Sequence, residues 1–206
     1  MDSTTMLYEY QDEIALALTF DYGSKHGAKE IPMARLHCER LGIEHIVIGM
    51  DFVQRHFRSS LLKGGEEIPE GSYTDDNMRS TVVPFRNGIM IAIACGIAES
   101  RGLKRLMLAN HAGDHAIYPD CRPEFIHGMN LATQAGTYDG IFLDAPYTNL
   151  TKGQIAMHGK KLGLNYAETW SCYKGHDKHC GRCGTCVERR EALAEAGIPD
   201  PTEYEE

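Results

Sequence analysis

Four thiols crowd one short stretch near the end of this chain. Cys172 is followed by Cys180-Gly181-Arg182-Cys183-Gly184-Thr185-Cys186, three of the four at Cys-x2-Cys-x2-Cys spacing. Sulfurs this dense either share a metal or pair as disulfides, and either outcome dictates the local fold. The opening residues show no charged n-region, apolar h-region or cleavage site, so the expectation is a cytoplasmic, reducing setting in which clustered thiols form a metal site. A tetrahedral structural zinc suits four sulfurs. An iron–sulfur cluster uses the same spacing, but no Cys-Pro follows the run. Gly181 and Gly184 are expected to let the backbone turn tightly, aiming its amides at the sulfurs. Cys38 and Cys95 sit at helical spacing among apolar neighbours and read as small core residues.

The remaining chain reads as alternating strands and helices. Glu13 to Phe20 is an apolar run expected of a buried parallel strand, and Glu44 to Gly49 is a second. Lys104 to Ala109 and Ile141 to Ala145 are a third and a fourth. Helices are predicted over 28–41 (Ile31, Ala34, Cys38 and Leu41 on one face, Gly42 as the stop), over 51–62 and over 86–101 (Ile89, Ile93, Gly96 and Ile97). Further helices are predicted over about fifteen residues after Asp120, over 152–162 behind a Thr151 cap, and over 187–196. Residues 3–10 have weak helical character. Lys63 to Ser80, rich in glycine and acids, reads as a long loop, either a surface insertion or an active-site lid. The tail after Pro199 is acidic and expected to fray. Alternation of this kind predicts an α/β fold with a mainly parallel sheet and chemistry at the carboxyl ends of the strands. At 206 residues, one domain with a minor appendage is expected. The net charge of −8 argues against broad nucleic-acid or membrane-surface binding, and no apolar run is expected to approach the eighteen residues of a span.

Polar motifs do fall at strand ends, and an ordered set of them is specific. The pieces are Asp2-Ser3-Thr4-Thr5, Thr19-Phe20-Asp21-Tyr22-Gly23 with His26, Val83-Pro84-Phe85-Arg86-Asn87, Tyr118-Pro119-Asp120-Cys121-Arg122-Pro123-Glu124-Phe125, Thr169-Trp170-Ser171-Cys172-Tyr173, and the Cys180/183/186 knuckle. With these, nearly the whole chain resembles the 7-cyano-7-deazaguanine synthase family of queuosine biosynthesis, within the PP-loop ATP pyrophosphatase superfamily. The resemblance implies a Rossmann-like, adenine nucleotide alpha hydrolase-like domain over 1–165 and a zinc-binding helical segment over 166–206. It implies an ATP-dependent ligase that turns 7-carboxy-7-deazaguanine and ammonia into the nitrile through an activated carboxylate and an amide. It also implies Zn2+, ATP and Mg2+ as cofactors, ammonium as co-substrate, no nucleic acid or membrane partner, and a homodimer. The superfamily's Ser-Gly-Gly-x-Asp-Ser signature is present here only from its x position, where Met1 stands. The expectation is therefore a longer native protein, legible in the codons just upstream, since the absent glycines would close backbone amides around phosphate.

By this resemblance Asp2 and Ser3 touch magnesium and phosphate oxygens, helped by Thr4 and Thr5; on residues alone they also suit a helix cap. Asp21 and Tyr22 lie beside the nucleotide or simply form a turn, with Lys25 and His26 next to them. Arg86 forks onto phosphate or carboxylate with Asn87 beside it, and Lys152 reaches a phosphate or faces solvent. Asp2, Ser3 and Arg86 are the catalytic candidates. Tyr118, Asp120, Arg122 and Glu124 are candidates for binding the deazaguanine, which wants an acid on its guanidine-type edge and an aromatic face. Within 110–122, His111, Asp114, His115, Asp120 and Arg122 also have the composition of a second metal site. Cys121 reads as pocket lining, because no activating base is nearby. Trp170 is expected to pack the knuckle against the main domain. The rival readings are a tRNA-modifying PP-loop enzyme and a non-catalytic zinc module.

Overall fold

The computed structural model describes residues 1–71, 78–114 and 116–206. Their contacts cluster into two compact units, Met1–Val83 with Lys152–Glu206, and Pro84–Thr151.

In the first unit, α1 (Asp2–Glu9) leads to β1 (Leu16–Asp21), α2 (Gly27–Leu41), β2 (Glu44–Gly49) and α3 (Asp51–His56). The strands β1 and β2 are parallel, in register from Leu16 opposite Glu44 to Asp21 opposite Gly49. Helix α2 ends as the sequence dictates. Gly42 takes φ 67, and the Ile43 amide closes back on the Cys38 carbonyl at 2.9 Å. Its inner face packs Cys38 with Leu7 and Ile43. Helix α3 stops at His56, six residues short of the predicted end, because the following serines compete for the backbone. Ser59 Oγ accepts the Leu61 amide at 3.2 Å, and the Ser60 amide donates to the Ser80 carbonyl at 2.8 Å. Leu61 and Leu62 are still buried, but from a turn. The long loop predicted over 63–80, surface insertion or lid, lies partly outside the described residues; its described arm packs Ile68 inward.

The same unit contains α6 (Lys152–Lys161) and α7 (Gly184–Glu195). They share a core of Ala156, Leu164, Tyr166, Ala192 and Leu193. Gly159 is required here for its lack of a side chain: a Cβ would sit 2.1 Å from the Tyr166 hydroxyl, which donates to the Ala156 carbonyl.

The second unit contains α4 (Arg86–Ser100), β3 (Arg105–Met107), α5 (Pro123–Gly136) and β4 (Phe142–Asp144). β3 and β4 are parallel, Arg105 opposite Phe142. The buried face of α4 is Gly88, Ile91, Cys95 and Ala98, not the predicted Ile89, Ile93, Gly96 and Ile97. The helix is apolar nearly all round, so periodicity could not choose a side. Arg79–Ser100 is, contrary to expectation, long and apolar enough by composition for a membrane span. It is not one continuous helix, however. Arg79–Thr81 is a 3-10 turn and Phe85 takes φ 53, which leaves α4 with 15 residues, about 22 Å against a hydrocarbon core of about 30 Å.

The described strands are parallel as expected, one pair in each unit. However, β1 is only half-buried along most of its length, where burial on both faces was expected.

His37 of α2 is fully buried and ties three segments together. Its Nδ1 faces the Tyr8 hydroxyl at 3.0 Å and its Nε2 faces the Glu168 carbonyl at 2.9 Å. A carbonyl can only accept, so Nε2 carries the proton and Tyr8 donates to Nδ1. Burial lowers the pKa of this ring. The unfolded chain, with histidine near 6.5, therefore takes up the proton first as pH drops. The stabilisation is complete above about pH 6.5 and is lost as pH falls toward the folded value. Urea midpoints measured from pH 7 to pH 5 should fall more steeply for the parent than for His37→Gln; parallel slopes would show that His37 is not the group responsible.

Candidate functional site

The four cysteines converge as predicted. Cys172, Cys180, Cys183 and Cys186 are all buried, with sulfurs within 4.8 Å of one another. Separations of 3.5 Å (Cys183–Cys186), 4.0 Å (Cys180–Cys186) and 4.0 Å (Cys183–Cys172) bracket the edge of about 3.8 Å that a tetrahedral ion with 2.3 Å sulfur bonds requires. Backbone amides point inward: Arg182 N and Cys183 N donate to Cys180 Sγ at 3.4 and 3.2 Å, and Cys180 N to Cys172 Sγ at 3.4 Å. Gly181, at φ 71, makes this turn possible. Gly184 does not contribute in the same way; it is the first residue of α7. Crowding forces the thiols apart in acidity. Hydrogen bonding with Cys172 and Cys186 holds the Cys183 thiol far below its ordinary value, while Cys172 is pushed up to about 12, chiefly by its hydrogen bond with Cys183. A cation at the centre resolves that conflict.

Neighbouring segments brace the knuckle. Trp170 Nε1 donates to the Cys172 carbonyl at 2.7 Å, its ring lies 4.1 Å from that of His179, and Lys29 Nζ of α2 sits 5.7 Å above it. Glu70 pairs with Lys174 and Arg182, and the Gly71 amide donates to the Arg182 carbonyl at 2.8 Å. The tail does not fray. His179 exchanges backbone hydrogen bonds with Glu203 and Glu205, and Tyr204 lies beneath the Arg190 guanidinium at 3.8 Å while donating to Asp200. Acidity predicted fraying, but an arginine and an aromatic stack hold the segment instead.

At the other end of the unit, Asp2 opens α1 and Met1 is the cap residue. Lys152 Nζ lies 3.4 Å from Asp2 Oδ2 and 2.6 Å from Glu188 Oε2. The structure thus brings together two predicted residues, Asp2 and Lys152, and adds one that the sequence did not flag. Glu188 sits on α7 two positions after Cys186, so the knuckle positions it. Ser3 is exposed and Thr4 half-buried. Thr5 is fully buried, donating to the Met1 carbonyl at 3.1 Å and facing the Tyr166 hydroxyl at 3.4 Å, which makes it a packing residue. Asp21 closes β1 and accepts the Gly23 amide at 3.1 Å. Tyr22 is buried with its hydroxyl 3.4 Å from His26 Nε2. His26 is also buried, 5.2 Å from the Tyr173 ring, and its Nδ1 has no hydrogen-bond partner among the described residues. Lys25 does not offer itself to phosphate; its Nζ donates to the Gly65 and Glu66 carbonyls.

In the second unit, Arg86 and Asn87 begin α4, and the Asp120 carboxylate accepts the Asn87 amide at 2.8 Å. Asn87 Nδ2 donates to the Asp120 carbonyl at 3.1 Å and to Cys121 Sγ at 3.2 Å. One oxygen of Asp120 therefore caps a helix. Tyr118 is buried, whereas Arg122 and Glu124 at the start of α5 are exposed. Burial pushes the Cys121 thiol well up, in keeping with pocket lining and not with a nucleophile. His111 and Asp114 face each other at 3.6 Å, and His115 lies outside the described residues. Among the described residues, the four cysteines are the one metal-capable grouping found.

Parallel strand pairs with flanking helices, together with a cysteine knuckle, define an α/β protein with a metal-capable C-terminal site. The same fold occurs in the solved U34-tRNA thiolase NcsA from Methanococcus maripaludis with its 4Fe-4S cluster, at a TM-score of 0.52 and 16% identity, covering 97% of this chain and 69% of that one. Within that class the particular family is clear: residues 1–197 match the family model described as queuosine biosynthesis protein QueC, and the chain belongs to that family of biosynthetic enzymes. Relatives named 7-cyano-7-deazaguanine synthase are 63% identical in Porphyromonas gingivalis (100% of this chain, 93% of the relative) and 49% identical in Desulfotalea psychrophila (99% and 94%). One from Methanoregula boonei is 46% identical (100% and 95%).

Replacing Cys183 by serine removes one thiolate from a four-sulfur set. The expected result is loss of stoichiometric metal from purified protein, read by elemental mass spectrometry. Full metal content in the variant would mean that the cluster is not the ligand set.

Proposed function

We propose that this chain is a cytoplasmic, ATP-dependent carbon–nitrogen ligase that converts 7-carboxy-7-deazaguanine and ammonia to 7-cyano-7-deazaguanine. The observation that carries this reading is the 63% identity to a named synthase across the entire chain. The placement of Lys152 between Asp2 and Glu188 supports it. ATP activates the substrate carboxylate; ammonia attacks the acyl carbon and expels the activating group, leaving an amide. A second ATP then activates the amide oxygen, and as the nitrogen gives up its two protons the oxygen leaves with the activating group, which yields the nitrile.

What this chain supplies is placement and charge. Asp2 and Ser3 would hold Mg2+ against phosphate oxygens, with Thr4 beside them, and the Lys152 ammonium would neutralise charge on the departing phosphates. Two carboxylates hold that ammonium in one position, so it need not be ordered when the nucleotide arrives. Asp21 and Tyr22 would line the nucleotide, and Arg86 with Asn87 would receive an anionic group. Tyr118, Asp120, Arg122 and Glu124 would surround the deazaguanine, Asp120 helping to shape that site through its hold on Asn87. Free ammonium is the simplest nitrogen source, and a homodimer is the expected assembly.

In this reading the knuckle holds zinc as a structural ion. Three sulfur pairs at 3.5–4.0 Å, with all four sulfurs within 4.8 Å, fit one ion, whereas a four-iron cluster would spread its thiolates over separate irons at the corners of a larger cage. One zinc then fixes the first turn of α7, and with it Glu188.

Incubation with 7-carboxy-7-deazaguanine, ATP, magnesium and ammonium should give the nitrile by mass spectrometry, and Lys152→Met should lower kcat/KM by about tenfold or more. Zinc-loaded, folded protein that makes no nitrile would refute the assignment.

A further inference from the structure

Phe85 has a backbone that suits glycine and a side chain that gains little from burial. Among the described residues it is the one non-glycine with positive φ, at 53°. A bulky residue is a genuine outlier there, and such outliers persist where the surroundings hold them in place. Yet the residue is 59% exposed, so hydrophobic burial does not explain why a phenylalanine occupies the position.

The surroundings are shaped to the ring. Phe125 of α5 meets it edge-on, with centroids 5.6 Å apart and planes at 89°. Gly88, one turn into α4, leaves it room: a Cβ there would lie 2.3 Å from Phe85 Cε1. One side of the ring is thus held in a fixed orientation while more than half of the residue remains open to solvent. The next residue is Arg86, and Asn87 is tied to the Asp120 carboxylate at 2.8 Å. A planar aromatic and a guanidinium are therefore consecutive at the start of α4, and the Asp120 loop is tied to the residue after them. Tyr118, the aromatic that the sequence nominated as a stacking face, is buried and does not present one.

We propose that Phe85 is a substrate-binding residue whose open face stacks on the flat heterocycle of the substrate and orients it while Arg86 takes its carboxylate. This deepens the proposed function and rests on it. The left-handed backbone at Phe85 turns the ring toward the ligand, and Gly88 and Phe125 keep it there. Stacking on an aromatic tolerates any flat ring, so Phe85 provides grip and orientation, and the polar groups of the 118–124 loop choose among heterocycles.

The test is steady-state kinetics on full-length Phe85→Gly and Phe85→Tyr beside the parent, with thermal unfolding of each. Glycine accepts φ 53 without strain, so Phe85→Gly should keep or raise the unfolding temperature. Its KM for 7-carboxy-7-deazaguanine should rise about tenfold with KM for ATP unchanged, and Phe85→Tyr should restore the parent value. An unchanged KM for the heterocycle in Phe85→Gly overturns the inference. So does a rise in both KM values accompanied by a lower unfolding temperature, which would make the ring a structural support. A parent that neither makes nitrile nor binds 7-carboxy-7-deazaguanine by calorimetry removes the proposed function, and this inference with it.

Discussion

Four buried sulfurs within 4.8 Å of one another are the point on which the C-terminal segments converge. Without a cation they cannot all be thiolates, and with one they become a rigid tetrahedron. Around that point the chain arranges its first helical turn of α7, the Glu70–Gly71 segment, the stack of Trp170 on His179 and the strand-like pairing of the tail. Each of these is short and polar and would have little reason to order alone. A knuckle that gathers distant segments substitutes for a hydrophobic core where the chain does not offer enough apolar surface.

The same helix connects this anchor to the proposed phosphate end. Cys186 and Glu188 are two residues apart on α7, and Glu188 grips Lys152, which faces Asp2. One position further, Arg189 is fully buried and donates to the Tyr166 carbonyl, Thr169 Oγ1, Ser171 Oγ and Thr202 Oγ1. A buried guanidinium with uncharged acceptors is costly unless its donors are satisfied, and here one residue ties the segment before the knuckle to the tail behind it. Residues of the knuckle and of the proposed phosphate end therefore alternate along one turn, so a metal held by the four cysteines would be coupled to the lysine through a few bonds of helix.

Much of this was legible in the sequence because its causes are local. Gly42 ends α2 through its own φ, the strand Glu44–Gly49 lies within its predicted bounds, and Cys180, Cys183 and Cys186 share a turn by spacing alone. Asp2 and Lys152 were nominated only through the resemblance, since neither residue's neighbours betray a partner 150 positions away. Where local signals were weak or competed, they misled. Helix α3 is cut short by serines that prefer backbone partners, and α4 is too uniformly apolar for its buried face to be chosen. Thr5 looked like a phosphate ligand but turns inward toward Tyr166, and Lys25 is drawn to carbonyls of a loop 40 residues on.

Taken alone, the sequence determined the element types, the metal-capable knuckle and the family, because periodicity, capping and thiol spacing act over a few residues, and an ordered set of motifs needs no geometry to be recognised. Only the tertiary structure decided which of the described strands pair, that Glu188 completes the setting of Lys152, that the tail is pinned, and that Phe85 and not Tyr118 offers an open aromatic face. Those outcomes depend on which distant groups meet and on what remains uncovered once they have met.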